Sequence, residues 1–256
     1  MEDSAHRPAS LGRVVAIVLA GGRGERLRPL TDECPKPLVE VGGRPLVGYA
    51  LERLAAAGVT DVLLSTAYRS AQFPAVLGDG SAYGVRLRFS VENPPLGTGG
   101  ALGLAWRVIN RGDGPPPDAV VVLNADQLSG HDLSAQLRQF DRDRPEGLLH
   151  VRFAHDRRTF GAVEVDAAGR VTAFREKLAG AGPGLVNVGC YVFDPSLIRQ
   201  VADHNGPVSL ERELLPGWIA GGRAIDAFRD DAFGLDVGTP AALAEAHKHL
   251  GNGADR

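Results

Sequence analysis

An apolar run that stops at three glycines constrains this chain more than any other feature: Val14–Ala20 is followed by Gly21-Gly22-Arg23-Gly24-Glu25-Arg26-Leu27. The run is too short and too rich in β-branched residues for a free-standing helix, so it predicts a buried strand. Gly21, Gly22 and Gly24 lack a Cβ and let a ligand approach backbone N–H groups, which predicts an anion-binding loop at the end of that strand. Two known loop chemistries are excluded. A dinucleotide fingerprint needs a third glycine at position 27, where this chain has Leu27, and a P-loop needs Gly-Lys-Ser/Thr. Instead the loop carries Arg26, and Lys36 follows between Pro35 and Pro37, whose fixed φ angles restrain it. Either residue alone would read as an ordinary surface cation. Together, beside an anion-binding loop, they suit a triphosphate whose charge must be neutralised during transfer.

The pattern downstream alternates strands and helices. Pro45 is placed to start a helix carrying Leu46, Val47, Ala50, Leu51 and Leu54, which Gly58 ends. A strand is predicted over 59–66, a short helix interrupted by Pro74 over 69–77, and a strand reaching Val91; a parallel sheet is the natural result. A second glycine-rich loop, Glu92-Asn93-Pro94-Pro95-Leu96-Gly97-Thr98-Gly99-Gly100, then leads into a helix over 101–108. Thr98 is predicted to cap that helix, and Gly99 and Gly100 to let a flat base lie against the backbone; a structural turn would explain the glycines equally well. The strand 119–123 delivers Asn124-Ala125-Asp126 at its carboxyl end, where open α/β sheets bind ligands, so Asp126 is a candidate metal ligand. A helix is predicted over 131–142.

From residue 147 the pattern changes to short strands, over 148–154, 161–165 and 171–174, with Asp166-Ala167-Ala168-Gly169 as a hairpin turn. A further strand over 186–193, a helix opened by Asp194-Pro195, a helix capped by Ser209, a strand over 224–228 and a terminal helix opened by Thr239-Pro240 complete the chain. His247 and His249 lie on different faces of that last helix and read as exposed rather than metal-bound. The 256 residues, 44% hydrophobic, are enough for one sizeable core. A net charge of −3 offers no broad basic surface for nucleic acid. Cys34 and Cys190 are far apart and read as small buried hydrophobes. There is neither an 18-residue apolar run nor an apolar core in residues 1–12, so the expectation is a soluble, cytoplasmic protein with no membrane partner, a flexible leader over 1–12 and a tail over 251–256.

The segment Gly-Gly-x-Gly-x-Arg-Leu, then Pro29-Leu30-Thr31, then Pro35-Lys36-Pro37-Leu38, resembles the signature of the sugar-phosphate nucleotidylyltransferases. The similarity continues through Phe160-Gly161, Phe174-Arg175-Glu176-Lys177, Asn187-Val188-Gly189, Ser209-Leu210-Glu211-Arg212 and Asp236-Val237-Gly238-Thr239-Pro240, and so covers nearly the whole chain. The departures are small: Ala125 stands where relatives have glycine, and Leu178 where they have proline. The resemblance implies a Rossmann-like three-layer α/β sandwich with a mostly parallel central sheet and a small β-rich sugar-binding subdomain. It implies one domain over 13–250, with a nucleotide-binding half at 13–146 and a sugar-phosphate-binding half at 147–250.

The resemblance further implies Arg26, Lys36, Asp126 and Asp236 as the catalytic set, with Asp126 and Asp236 holding Mg²⁺ and the two cations steadying the phosphates. Nucleotide contacts fall on Leu19, Ala20, Gly21, Gly22, Gly24, Glu92, Gly97, Thr98 and Gly100. Sugar-phosphate contacts fall on Asn124, Gly161, Glu176, Lys177 and Asn187. The substrates implied are a nucleoside triphosphate and a sugar 1-phosphate, most like those of short bacterial guanylyltransferases acting on heptose 1-phosphate or mannose 1-phosphate. At position 92 a carboxylate, an acceptor only, suits the adjacent N1–H and N2–H of guanine and could also take the single N3–H of uracil. Uridylyl or thymidylyl transfer, a cyclitol phosphate and a homo-oligomer stay open at this stage. A non-catalytic nucleotide-sugar-binding module is disfavoured, because such a module has no reason to keep two cations and two acids together.

Overall fold

The computed structural model describes residues 11–111, 115–177, 182–204 and 206–251. Most of the expected leader, all but the first residue of the expected tail, and Leu178 lie outside the described residues.

Val14–Ala20 runs between Asp61–Thr66 and Ala119–Asn124 and parallel to both, and Arg86–Val91 extends the parallel run beyond Asp61–Thr66. Both faces of the inner strands are covered, which is why Val14–Ala20 and most of Ala119–Asn124 read as near-continuous apolar runs, whereas the outer strand Arg86–Val91 is mixed. Val15 and Ile17 join Leu63, Val120 and Val122 in one core cluster, and Ala16 and Val18 join Val62, Leu64, Val121 and Leu123 in the other. Helices Gly97–Ile109 and Pro195–Ala202 supply Leu102, Trp106, Leu197 and Ile198 to the first cluster. Helices Leu46–Ala56 and Leu133–Asp143 supply Leu51, Leu54, Leu137 and Phe140 to the second. The result is the three-layer α/β/α sandwich that the sequence predicts. Truncating a fully buried residue such as Leu63 to Ala costs about 2–5 kcal/mol, because the cavity cannot fully collapse.

One long strand, Gly184–Phe193, carries the sheet from its parallel part into its antiparallel part. Its second half pairs antiparallel with Ala119–Asn124, and its first half pairs with Gly161–Val165. Along its other edge runs Gly147–Ala154, with a register shift between Asn187 and Tyr191. Gly189, at φ +68°, sits inside that shift, in a conformation a residue with a Cβ rarely adopts. Val171–Glu176 completes a hairpin with Gly161–Val165, and Ile225–Arg229 lies parallel to Gly147–Ala154. The two expected halves therefore share one nine-stranded sheet among the described residues, and Val15 and Val122 pack in the same cluster as Val151, Val163, Phe174 and Tyr191.

Three local expectations are corrected. The helix after the second glycine loop begins at Gly97, so Thr98 is inside its first turn rather than its cap, and its hydroxyl is spent elsewhere. Pro74 does not interrupt Gln72–Leu77, because as the third residue its missing N–H has no intrahelical partner to lose. His131 lies before the helix it was expected to open; Asp132 caps Leu133–Asp143 by accepting from the Ala135 N–H at 2.8 Å. At the opposite end of the sheet, the buried Asp61 gathers Arg13, Arg88 and Arg86 at 2.7, 3.1 and 3.4 Å. Burial works to raise its pKa, but the Arg13 hydrogen bond and the neighbouring guanidinium charges outweigh it and hold the carboxyl below its usual range. No helix among the described residues is long and apolar enough to cross a membrane.

Candidate active site

The glycine loop closes around a lysine. Gly24 has φ +66°, and a Cβ there would lie 2.8 Å from Cβ of Lys36, so any side chain would displace the lysine. Thr31 donates to the Gly24 carbonyl at 2.8 Å and fixes the loop. Lys36, held at the turn Lys36–Leu38, is only 7% exposed. Its Nζ donates to Oδ2 of Asp126 at 2.7 Å and to Oδ1 of Asp236 at 3.0 Å. Nη2 of Arg26 lies 3.8 Å from Oδ2 of Asp236. All four residues of the expected catalytic set are therefore brought together.

Local pairing explains why two acids so distant in sequence meet. Asp126 lies one residue beyond Ala119–Asn124, after Ala125, and directly precedes Gln127–Ser129, which pairs antiparallel with Gly234–Asp236, Asp236 opposite Gln127. The Val237 N–H then donates to the Asp126 carbonyl at 3.1 Å. Among the described residues no group of three or more His, Cys, Asp or Glu converges as a metal cage. The two carboxylates converge on the Lys36 ammonium, so a cation already bridges them. One or two carboxylates completed by substrate oxygens is the donor set magnesium prefers, and these residues fit it.

Beside this cluster lies a cavity of about 390 Å³. Of the expected nucleotide contacts, Leu19, Gly21, Gly22, Glu92, Gly97 and Thr98 line it, together with Asn124 and Asp126. A second basin shares Gly22 and Asp126 and is walled by Gly24, Arg26 and Lys36. Ala20 is buried in the core with Val18 rather than on the wall. Gly100 is also turned away: a Cβ there would meet Leu96 and the Gly206 carbonyl. The Gly99 and Gly100 N–H groups donate to the Val208 carbonyl at 2.9 and 3.2 Å, so the expectation that a base lies against them is corrected to a backbone cap from another segment.

Glu92 is 7% exposed. It accepts from the Leu96 N–H at 2.8 Å and from the Ser65 hydroxyl at 3.3 Å. Burial pushes its pKa up, and those two bonds oppose the shift. A carboxylate can accept about four hydrogen bonds, so lone pairs are left on the cavity side.

Strand register brings together the residues expected on the sugar side. Gly161 stands opposite Glu176 on one neighbouring strand and opposite Asn187 on the other. Lys177 leaves the strand at φ +53° with its Nζ 3.7 Å from Oε1 of Glu176. Burial raises the pKa of Glu176, Lys177 opposes the rise and the nearby charge of Glu211 adds to it. Asn187 donates through Nδ2 to the Tyr191 hydroxyl at 2.7 Å.

Two features had no local signal in the sequence. Glu211 bonds the Thr98 hydroxyl at 2.6 Å and the Tyr191 hydroxyl at 3.3 Å, although its own segment reads only as a helix start. Beyond Ser129 lies a buried polar cluster. Nη1 of Arg53 contacts Nδ1 of His131 at 3.2 Å, Nε2 of His131 meets Oε1 of Gln136 at 3.0 Å, and Gln136 accepts from the Cys190 thiol at 3.2 Å. The His131 and His150 rings stack with centroids 4.1 Å apart. An arginine can only donate, so Nδ1 of His131 accepts and its Nε2 carries the proton.

Comparison with known proteins identifies relatives of this chain. The mannose-1-phosphate guanylyltransferase of Mycobacterium tuberculosis is 40% identical over 244 residues, which is 94% of this chain and 66% of that protein. A solved chain from Bacillus anthracis, named provisionally as a glucose-1-phosphate thymidylyltransferase and in complex with a sucrose, superposes with a TM-score of 0.82 at 22% identity, covering 92% of this chain and 94% of that one. HddC from Yersinia pseudotuberculosis superposes with a TM-score of 0.78 at 25% identity, covering 93% and 100%. The chain spans between 59% and 66% of the length of the curated relatives it matches. A family model described as nucleotidyl transferase matches residues 15–253, and on that match the chain belongs to the nucleotidyl transferase family.

Proposed function

We propose that this chain condenses a nucleoside triphosphate with a sugar 1-phosphate to give a nucleotide-diphosphate sugar and pyrophosphate, with GTP and mannose 1-phosphate as the first pair and heptose 1-phosphate as the second sugar. The observation that carries the reading is the Lys36 ammonium held between Asp126 and Asp236 at the junction of two basins. Nucleotidyl transfer asks little covalent chemistry of a protein; it asks for alignment and neutralised charge. An ionised oxygen of the sugar phosphate attacks the α-phosphorus, the bond from that phosphorus to the bridging oxygen of the β-phosphate breaks, and pyrophosphate leaves with the electron pair. No proton has to be removed, so no side-chain base is required.

Arg26 and Lys36 neutralise the triphosphate and the departing pyrophosphate. Asp126 and Asp236 are the residues that would hold Mg²⁺, which when bound supplies further positive charge at the reacting phosphates. The cavity wall from Leu19 to Gly22, with Gly97 and Thr98, holds the nucleoside. Glu92 reads guanine through its remaining lone pairs, a choice supported by the guanylyltransferase name of the mycobacterial relative. Glu176, Asn187 and Gly161 take the sugar, and Lys177 its phosphate. Both substrates are water-soluble, and we assign the reaction to the cytoplasm.

The test is pyrophosphate release from each of four nucleoside triphosphates with a panel of sugar and cyclitol 1-phosphates. GTP with mannose or heptose 1-phosphate is expected to be fastest. Preference for UTP or dTTP would remove the guanine assignment, and no release from any pair would remove the enzyme reading.

A further inference from the structure

We propose that Glu211 is a positioning residue that couples the nucleotide cavity to the sugar strands, so that each substrate tightens the site for the other. This rests on the transferase reading for the identity of the two ligands, and on a continuous line of hydrogen bonds for the coupling.

The line begins on the cavity wall at Thr98. The Thr98 oxygen accepts from the Leu210 N–H at 2.8 Å, which aims its proton at Oε2 of Glu211, 2.6 Å away. Ser209 adds a longer contact to the same oxygen at 3.4 Å. Oε1 of Glu211 accepts from the Tyr191 hydroxyl at 3.3 Å, and that hydroxyl accepts from Nδ2 of Asn187 at 2.7 Å. Tyr191 is wholly buried, so its hydroxyl has no water to turn to.

A carboxylate only accepts, and this fixes the direction of every bond in the line. Tyr191 must donate to Glu211, so its oxygen is free to accept, and Asn187 must present its amide nitrogen rather than its oxygen. The orientation of Asn187, on the strand that stands opposite Gly161, is therefore set from the nucleotide side. The Thr98 contact at 2.6 Å has the length of a charge-assisted bond and is the strong link, and the Tyr191 contact at 3.3 Å is the longest link in the line from Thr98 to Asn187. The backbone reinforces it: Val208 donates to the Leu96 carbonyl at 2.9 Å and accepts from Gly99 and Gly100, which ties the segment before Glu211 to the first turn of Gly97–Ile109. Glu211 also sits close enough to Glu176 for its charge to be felt there.

Tyr191→Phe, Thr98→Val and Glu211→Ala test the proposal in the full-length protein. Tyr191 does not line the cavity, yet Tyr191→Phe is expected to weaken GTP binding about 5-fold by calorimetry, and Thr98→Val to raise KM for the sugar phosphate by a similar factor. In the Glu211→Ala background, adding Tyr191→Phe is expected to change GTP affinity by less than twofold. If Glu211→Ala does not fold, the Thr98→Val/Tyr191→Phe double variant is expected to bind GTP no more weakly than the worse single variant. Unchanged GTP affinity in folded Tyr191→Phe, or effects of Thr98→Val and Tyr191→Phe that simply multiply, would overturn the coupling. Calorimetry with GTP alone reads the coupling whether or not turnover occurs, and pyrophosphate release reads the transferase assignment separately. No binding of GTP by the unaltered protein would overturn both.

Discussion

Two polar clusters sit at opposite ends of the three-residue strand Gln127–Ser129, and they use similar atoms to opposite ends. At the first end, Asp126 and Asp236 share Lys36, and the acid side chains are 32% and 38% exposed. At the second, Arg53 contacts His131, and His131, His150, Gln136 and Cys190 are all buried. Burial, the His150 charge and Arg53 push the pKa of His131 down to about 3; burial does most to lower His150 to about 4, with the Asp230 carbonyl resisting. Burial pushes the Cys190 thiol up to about 12. In the first cluster opposite charges are matched and the two carboxylates are partly exposed, so a polyanion can reach them and exchange partners. The second keeps its two histidines and its thiol neutral by desolvation and encloses Arg53 among them, so its polar atoms hold the fold. Polarity alone therefore does not mark a site; charged groups that a ligand can reach do.

The contrast can be broken most sharply at Lys36. Lys36→Met is expected to lower kcat by about 10²–10³-fold in the pyrophosphate assay, as expected for removing a preorganised donor to developing charge. Residual activity within tenfold of the unaltered enzyme would make the first cluster structural too. Gln136→Leu addresses the other end. It removes the Gln136 hydrogen bonds to the Leu148 carbonyl and to Nε2 of His131, at a cost of about 1–3 kcal/mol in urea unfolding, with kcat per folded molecule unchanged. A fall in kcat with unchanged stability would move Gln136 into the chemistry.

A pH series sharpens the comparison further. The folded pKa values of His131 and His150, about 3 and about 4, lie below the ordinary 6.5, so between those values the unfolded chain binds more protons. Stability from this pair is complete above pH ~6.5 and is lost as pH falls toward 4, by about 1.4 kcal/mol for each unit of pKa difference in each group. The window lies above that of Asp61, whose lowered pKa makes its contribution fade only in the carboxylate range. The expected melting temperature falls between pH 6.5 and 4.5, and less so in His131→Asn/His150→Asn; equal slopes would contradict the buried neutral pair. The smallest effect is chemical. Iodoacetamide at pH 8 is expected to label the half-buried Cys34 before Cys190 in native protein, and labelling of both at one rate would mean the second cluster opens readily.

Sequence reasoning reached the parts whose signal is local. The Val14–Ala20 strand, the glycine loop, Lys36 between prolines and Asp126 at a strand end each announce themselves within a few residues, and family resemblance added Asp236. It failed where a residue's partner is far along the chain. Thr98 looks like a cap because a threonine before a helix usually is one; only the approach of residues 208–211 shows that Val208 caps the helix and Glu211 takes the hydroxyl. Gly100 looks like room for a ligand, and the room is filled by residue 206. Arg53 and His150 carry no mark at all, since a helix-surface arginine and a strand histidine read as solvated until the sheet register brings Leu148 beside Gln136.

The long strand Gly184–Phe193 borders Ala119–Asn124 with one half and the hairpin strand Gly161–Val165 with the other. The halves meet at the register shift around Gly189, so on the proposed transferase reading that local irregularity sets the span between the two substrates. On that reading, residues at the hairpin end can be exchanged to admit a different sugar while the half beside Ala119–Asn124 keeps its place, which would let one chemistry serve many sugars without being rebuilt for each.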